Sequence, residues 1–176
     1  PVQVDPPRLQ GVRVAQGSTG RAHTVLLLSD GSAWAVGDAQ HGQAGTGRRG
    51  SPARDGVEPH PAMVLGVNGM GALRDVVDVV VGFGSNAHGQ LGTGADVDGG
   101  TLVPRVLRRA GGAPLDGVDN VACGEGFSAV LHRDGGVLTF GSNVLGALGR
   151  STPGNADDPE AAPVRLPDGG ELALVR

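Results

Sequence analysis

Short apolar runs separated by turn residues follow one another along most of the chain. Residues 25–28 and 33–36 form two such runs, and 129–131 and 137–140 form two more. Each pair flanks an Asp-Gly dipeptide, which is a strong local signal for a β-hairpin. No segment keeps a helical period beyond a turn or two, so we expect few helices. The pattern therefore predicts an all-β fold with one hairpin across 30–31 and another across 134–135.

The two predicted hairpins belong to a repeating sequence. From His23 onward the first copy is matched by another at an offset of 104 residues, so Gly37 corresponds to Gly141. Residues 81–94 match only the latter half of the unit, and Gly84 lies 47 residues after Gly37 and 57 before Gly141. These offsets predict three copies of a unit of about 52 residues. In one repeat domain of residues 1–176, the predicted units are 12–60, 61–104 and 105–162, and 163–176 begins a further unit.

The middle copy lacks the part of the unit that carries the hairpin. Its valine-rich segment at 76–81 runs directly into Gly82-Phe83-Gly84, whereas the third copy has about 15 more residues between the equivalent points. Two explanations stay open. Either a true deletion has left a two-stranded unit, or residues have been lost from this sequence.

Several polar and glycine positions recur in the copies for reasons of backbone geometry. Glycine permits positive φ and close backbone approach, and Asn tolerates left-handed geometry in turns. The predicted structural repeat positions are Gly37, Gly84, Asn86, Gly89, Gly92, Gly141, Asn143 and Gly146.

Composition agrees with a turn-rich β protein and limits the partners. The 176 residues include 33 Gly and 12 Pro but only 2% aromatic residues, so the core is expected to consist of Val, Leu and Ala. The basic residues are all Arg, and the net charge is −4, which disfavours a nucleic-acid partner. No apolar run is long enough to span a bilayer, so no membrane partner is expected. Arg-only basic residues are typical of a GC-rich bacterial genome, and a cytoplasmic or a secreted location both stay open.

Residue types that carry chemistry occur without the spacing that chemistry needs. Residues 45–50 match the dinucleotide-binding glycine pattern, but Ser51-Pro52 follows where a helix should begin. The five His do not have helical zinc-site spacing, and a single Cys123 excludes an internal disulfide. Asp157, Asp158 and Glu160 are expected to be solvated loop acids, with a calcium or catalytic role as the alternative. We expect no catalytic site, no metal and no cofactor, and therefore no enzyme.

The repeated motifs resemble a known family. Val-Ala-x-Gly, an aliphatic run, Asp-Gly, and the middle-copy sequence Ser-Asn-Ala-His-Gly-Gln-Leu-Gly-Thr-Gly are similar to the regulator-of-chromosome-condensation repeat. The resemblance covers nearly the whole chain and implies a partial β-propeller of about three blades, the middle one truncated. It also implies a protein-interaction scaffold. Two narrower alternatives come from the resemblance, namely a guanine-nucleotide exchange factor for a small GTPase and a propeller-type enzyme inhibitor.

The chain is short for the closed propeller that the resemblance implies. Members usually have seven four-stranded blades, and three units are under half of that. An open stack of blades exposes sheet surfaces at both ends, which repeat proteins normally cap or close. We therefore expect a fragment, a truncated product or part of an oligomeric ring, which self-associates or is completed by the missing blades.

One loop departs from the repeat in length and charge. Residues 47–60 exceed a plain turn and carry three Arg, whereas the predicted strands carry almost no charge. Loops on rigid scaffolds are where binding residues concentrate, although a solvated connector is the alternative. The candidate residues for binding a protein partner are Arg48, Arg49, Arg54, Asp55, Glu58 and His60.

Overall fold

The computed structural model describes residues 11–20, 22–50, 55–74, 81–94 and 100–173. In these ranges the secondary structure is almost entirely β, which confirms the predicted fold class. Three one-turn 3-10 helices occur, at Val67–Gly69, Val144–Gly146 and Pro153–Asn155. The strands are β1 (Val14–Thr19), β2 (His23–Leu28), β3 (Ala33–Asp38), β4 (Val57–Met63), β5 (Val81–Gly84), β6 (Thr101–Val106), β7 (Val118–Cys123), β8 (Phe127–His132), β9 (Val137–Gly141) and β10 (Asp158–Pro163).

The strands form two four-stranded antiparallel sheets and one two-stranded sheet. Their orders are β1-β2-β3-β4, β7-β8-β9-β10 and β5-β6. Leu26 pairs with Trp34 in the first hairpin and Val130 pairs with Leu138 in the second, so the 104-residue offset holds in the strand register. The two-stranded sheet belongs to the middle copy. The predicted arrangement of about three blades, with the middle one truncated, is confirmed.

Each hairpin turn uses its Asp-Gly dipeptide in the same way. Gly31 and Gly135 have φ of +78° and +90°, while the preceding aspartates keep negative φ. Asp30 Oδ1 accepts hydrogen bonds from the N–H and hydroxyl of Ser32 at 2.9 and 2.6 Å, and Asp134 Oδ1 accepts one from the N–H of Gly136 at 2.8 Å. These bonds lower the pKa of both carboxyls. Glycine thus supplies the left-handed residue, and the carboxylate closes the turn.

The described chain divides into two compact units, each with its own core. The first takes in the described residues up to Arg74 with Phe83–Ser85 and Thr101–Arg105, and the second takes in most of the rest. The predicted repeat boundaries within them stay a prediction. As the composition predicts, small and aliphatic residues dominate both cores. The first core is built on Ala35, Ala39, Ala44 and Val64, and the second on Leu107, Leu115, Val130, Leu138, Phe140 and Ala161.

A glycine ends the third strand of each full sheet because the backbone passes close to the start of the second strand. Gly37 and Gly141 have φ of +112° and +107°. A Cβ at either position would lie 2.8 Å from the Cα of His23 or Phe127 respectively. A side chain there would displace the backbone, so glycine is required.

The turn after this glycine has the same hydrogen bonds in all three copies. In the middle copy the N–H of Gly89 donates to the carbonyl of Asn86 at 3.0 Å, and the N–H of Gly92 donates to the carbonyl of Gly89 at 2.9 Å. The buried Asn86 also accepts a hydrogen bond on Oδ1 from the N–H of Leu91 at 2.9 Å. Asn143 makes the equivalent bond in the third copy. The first copy has Ala39 at this position, so it lacks that side-chain acceptor.

Replacing Gly89 with Ala should destabilise the protein more than the same change at Gly146, its equivalent in the third copy. The two glycines have φ of +77° and +76° and so carry the same left-handed strain. A Cβ at Gly89 would lie 2.5 Å from the Cα of Pro159, whereas one at Gly146 has no neighbour within 4 Å. We expect Gly146→Ala to cost about 1 kcal/mol and Gly89→Ala about 2 kcal/mol more. Urea unfolding of dilute protein measures both, and equal costs would contradict the packing contact.

Ala39→Asn should stabilise the first copy. Thr46 Oγ1 is buried without a hydrogen-bond partner in the described structure, whereas its equivalent, Thr93 Oγ1, accepts from Asn86 Nδ2 at 3.4 Å. An Asn at 39 supplies that donor and an acceptor for the turn, which is worth about 1 kcal/mol. Ala39→Val is the control, because it adds bulk without polar atoms. A thermal melt in which the two variants lose equal stability would overturn this expectation.

Candidate protein-interaction surface

The arginine-rich loop of the first copy is closed at its base by an ion pair. Arg48 Nε lies 3.1 Å from Glu58 Oε1, and the Glu58 side chain is only 8% exposed. Glu58 is held in β4 opposite Gly37 of β3. Because a buried carboxylate needs a partner, this pair fixes the entry of the loop into β4.

The second unit closes the equivalent loop with a similar pair. Asp158 lies opposite Gly141, as Glu58 lies opposite Gly37, and its Oδ2 is 2.8 Å from the guanidinium of Arg150. The arginine comes from a different position in each copy, but the carboxylate position is shared. Arg48 and Glu58, two of the predicted partner-binding residues, therefore brace the scaffold.

The other charged residues of the loop stay exposed on a braced backbone. Arg49 donates from its guanidinium to the carbonyl of Gln40 at 2.9 Å, and Gln40 Nε2 donates to the carbonyl of Asp55 at 2.7 Å. Asp55 has φ of +51°, and His60 is exposed on β4. Arg54 lies outside the described residues. The structure thus brings Arg49 and Asp55 together through Gln40 and places His60 on the adjoining strand.

In the second unit, the turn of the middle copy is tied to the residue before β10. His88 Nδ1 lies 2.7 Å from Asp157 Oδ2, and the N–H of Asn143 donates to Asp157 Oδ1 at 3.2 Å. The hydrogen bond from His88 is the main cause that lowers the pKa of Asp157. The expectation that Asp157 and Asp158 are solvated loop acids is wrong, since each is ion-paired. Sequence spacing could not show this, because His88 is far from Asp157 along the chain.

A cleft of about 330 Å³ opens beside this ion pair. Its lining combines apolar side chains with one carboxylate and one imidazole. The lining residues are His88, Glu125, Phe127, Ser142, Val144 and Ala147.

Two apolar residues at the edge of the cleft were missed by the sequence analysis. Val144 is 67% exposed and Leu145 is 102% exposed. Leu145 has φ of +57°, a conformation that branched residues rarely adopt. The first and middle copies have Gln40-His41 and Ala87-His88 at these positions. Aligning the copies position by position would have identified this change from polar to apolar residues.

The residues considered for chemistry have structural partners. Ser128 Oγ donates to the carbonyl of Gln90 at 2.8 Å, and burial lowers the pKa of the half-buried His23. Cys123 is exposed at the end of β7. Among the described residues, no group of three or more His, Cys, Asp or Glu side chains is arranged to hold a metal ion.

No helix in the described part of the chain has the length and apolar character needed to cross a membrane.

Comparison with known families agrees with the strand repeats. A sequence model of the regulator of chromosome condensation (RCC1) repeat matches residues 80–131, and a second model of the same repeat matches 14–43 and 118–147. Together the matched segments take in more than half of the chain. The chain belongs to the RCC1 repeat family. The two segments of the second model start at β1 and β7, which agrees with the equivalence of the two four-stranded sheets.

Curated relatives with RCC1-like sequences are much longer than this chain. Protein RCC2 of Mus musculus is 31% identical over 153 residues, which is 83% of this chain and 28% of that protein. The probable E3 ubiquitin-protein ligase HERC6 of Homo sapiens is 32% identical over 150 residues, which is 81% of this chain and 14% of that protein. The chain thus spans less than a third of either relative.

Solved structures share the fold. Human WBSCR16 superposes with a TM-score of 0.63 at 24% identity, covering 85% of this chain and 37% of WBSCR16. Yeast RCC1 (Prp20), in its complex with Kap60, superposes with a TM-score of 0.63 at 21% identity, covering 89% of this chain and 39% of Prp20. These likenesses support the partial propeller.

Removing the imidazole of His88 should raise the pKa of Asp157. The folded-state pKa of Asp157 is depressed, so the pair stabilises the fold above the unfolded-state pKa of about 3.9, and this stabilisation is lost as pH falls through the folded value. Carbon-detected NMR titration of the Asp157 carboxyl should show a low pKa that returns toward 3.9 in His88→Ala. His41→Ala, at the equivalent position of the first copy, is the control. An unchanged Asp157 titration in His88→Ala would rule out the pair.

Proposed function

We propose that this RCC1-repeat chain is a non-enzymatic binding module that holds a protein partner through the loop of residues 47–60. The observation that carries the proposal is the chain of hydrogen bonds from Arg49 through Gln40 to Asp55. It leaves exposed charged side chains on a backbone that is fixed from within.

A braced loop favours binding for an energetic reason. Association costs free energy when side chains and loops become ordered, and a loop that is already fixed avoids part of that cost. The pair Arg48–Glu58 and the bond from Gln40 to Asp55 fix both sides of the loop. Exposed Arg49 and Asp55 then offer both signs of charge, which suits the mixed charges of a protein surface better than a uniformly anionic ligand.

The comparisons support protein binding at the level of the family. One solved relative, yeast RCC1 (Prp20), is described in complex with Kap60, and its binding to Gsp1p and histones is described as well. Those partners belong to that protein. Because this chain spans 39% of Prp20, nucleotide exchange on a small GTPase and inhibition of an enzyme remain narrower hypotheses for it.

Photo-crosslinking tests the loop directly. A photoreactive phenylalanine derivative in place of His60 should capture a protein from cells that encode this chain, because His60 is exposed beside the loop. The matched control is the same substitution at Arg13, an exposed residue of the same unit outside the loop. With the captured protein purified, Arg49→Ala should weaken binding about tenfold, and Arg13→Ala should leave it unchanged.

Equal crosslinking at both positions, or an affinity that Arg49→Ala does not alter, would remove the loop from the function. If the captured protein is a small GTPase, its nucleotide exchange rate decides the exchange-factor hypothesis. If it is an enzyme, its activity in the presence of the chain decides the inhibitor hypothesis.

A further inference from the structure

Consecutive copies make the same backbone contact twice. The turn glycine of one copy lies against the first residues of the outer strand of the next copy. A Cβ at Gly42 would lie 2.9 Å from the Cα of Leu102, and one at Gly89, the equivalent of Gly42, would lie 2.5 Å from the Cα of Pro159. Leu102 and Pro159 each occupy the second position of their outer strand, β6 and β10.

Hydrogen bonds accompany both contacts. The N–H of Gly47 donates to the carbonyl of Leu102 at 2.8 Å, and the N–H of Gly94, the equivalent of Gly47, donates to the carbonyl of Pro159 at 3.4 Å. In the second contact His88 also pairs with Asp157, just before β10. A turn and an outer strand are therefore complementary surfaces in this repeat.

The third copy has the turn without a strand against it. Gly146 is the equivalent of Gly42 and Gly89, and a Cβ there meets no atom within 4 Å. Leu145 takes the position of His88, and it is fully exposed. We call Leu145, Gly146, Ala147 and Ser151 the turn face.

The first copy has the strand without a turn against it. Glu58 faces Gly37 as Asp158 faces Gly141, so Val57 and Pro59 take the positions of Asp157 and Pro159. Val57 is 37% exposed, and Pro59 is exposed as well. We call Val57, Pro59 and Thr24 the strand face, since Thr24 takes the position of Ser128, whose hydroxyl donates to Gln90 of the preceding copy.

We propose that the turn face of one chain binds the strand face of a second copy of this chain, head to tail. Gly146 then lies against Pro59 of the second copy, as Gly89 lies against Pro159. The N–H of Ser151, the equivalent of Gly94, donates to the carbonyl of that Pro59. The hydroxyl of Thr24 donates to the carbonyl of Ala147, the equivalent of Gln90.

The side chains of the two faces are matched to one another. Inside the chain, the position of Leu145 and the position of Val57 hold His88 and Asp157, which form an ion pair. On the two faces both positions are apolar and exposed. Replacement of both members of a polar pair by apolar residues keeps the contact complementary, whereas replacement of one alone would leave a charge without its partner.

This proposal uses other side chains than the partner-binding loop and does not rest on the proposed function. The other occupant of either face is a further repeat of a longer protein. That occupant has the same backbone chemistry, and the experiment separates it from a second copy. Because the two faces are different surfaces, the association is heterologous and extends into a ring or a filament.

Sedimentation of the 176-residue chain over a wide concentration range tests the proposal. The average mass should rise with concentration above the 17.5 kDa of one chain. Leu145→Glu blocks the turn face and Val57→Glu blocks the strand face, so each variant alone should self-associate at least about tenfold more weakly. Mixing the two variants leaves one intact turn face and one intact strand face, and should give a 1:1 dimer that does not grow.

Leu166→Glu is the matched control, since Leu166 is exposed in the same unit and lies in neither face. Circular dichroism checks that every variant is folded, and Gly146→Val blocks the turn face by bulk alone if Leu145→Glu fails to fold. A monomer at every concentration would overturn the proposal and leave a further repeat as the occupant. Association that neither variant weakens, or mixed variants that stay monomeric, would overturn it as well.

Discussion

The close approach of a turn to the outer strand that follows it is the contact on which this fold depends. It places backbone against backbone, as at Gly89 and Pro159, and only glycine leaves room for it. The hydrogen bonds between Gly47 and Leu102 and between Gly94 and Pro159 form only at this separation. The high glycine content of the sequence is thus largely a requirement of packing, and the charged residues of the loops are free to differ between copies.

Function is therefore to be sought where the copies differ and not where they agree. The carboxylate that closes the loop is present in both full sheets, as Glu58 and Asp158, and its role is to brace the scaffold. Arg49 and Asp55 have no counterparts that recur, and neither does the apolar Leu145. A repeat protein provides its own internal comparison in this way, because each copy shows what the fold alone requires of the others.

Local patterns in the sequence were sufficient for the strands and the repeat. Asp-Gly dipeptides between apolar runs identified both hairpins, because turn geometry is decided by neighbouring residues. The missing hairpin of the middle copy followed from counting residues. The pairing of Arg48 with Glu58 and of His88 with Asp157 did not follow, because these contacts depend on how distant loops meet. Glu58 was consequently placed in the binding site when it is mostly buried, and Asp157 was expected to be solvated when it is ion-paired.

Head-to-tail association and loop binding would reinforce one another. Each chain carries one loop of residues 47–60, so an assembly built from turn and strand faces repeats that loop once per chain. A partner with several copies of its own binding surface then gains affinity through effective concentration, without any new contact at the loop. The spacing between loops is fixed by the same contact that joins consecutive copies within one chain. The geometry of a glycine turn thereby determines both how the repeats stack and how many partner sites a single assembly presents.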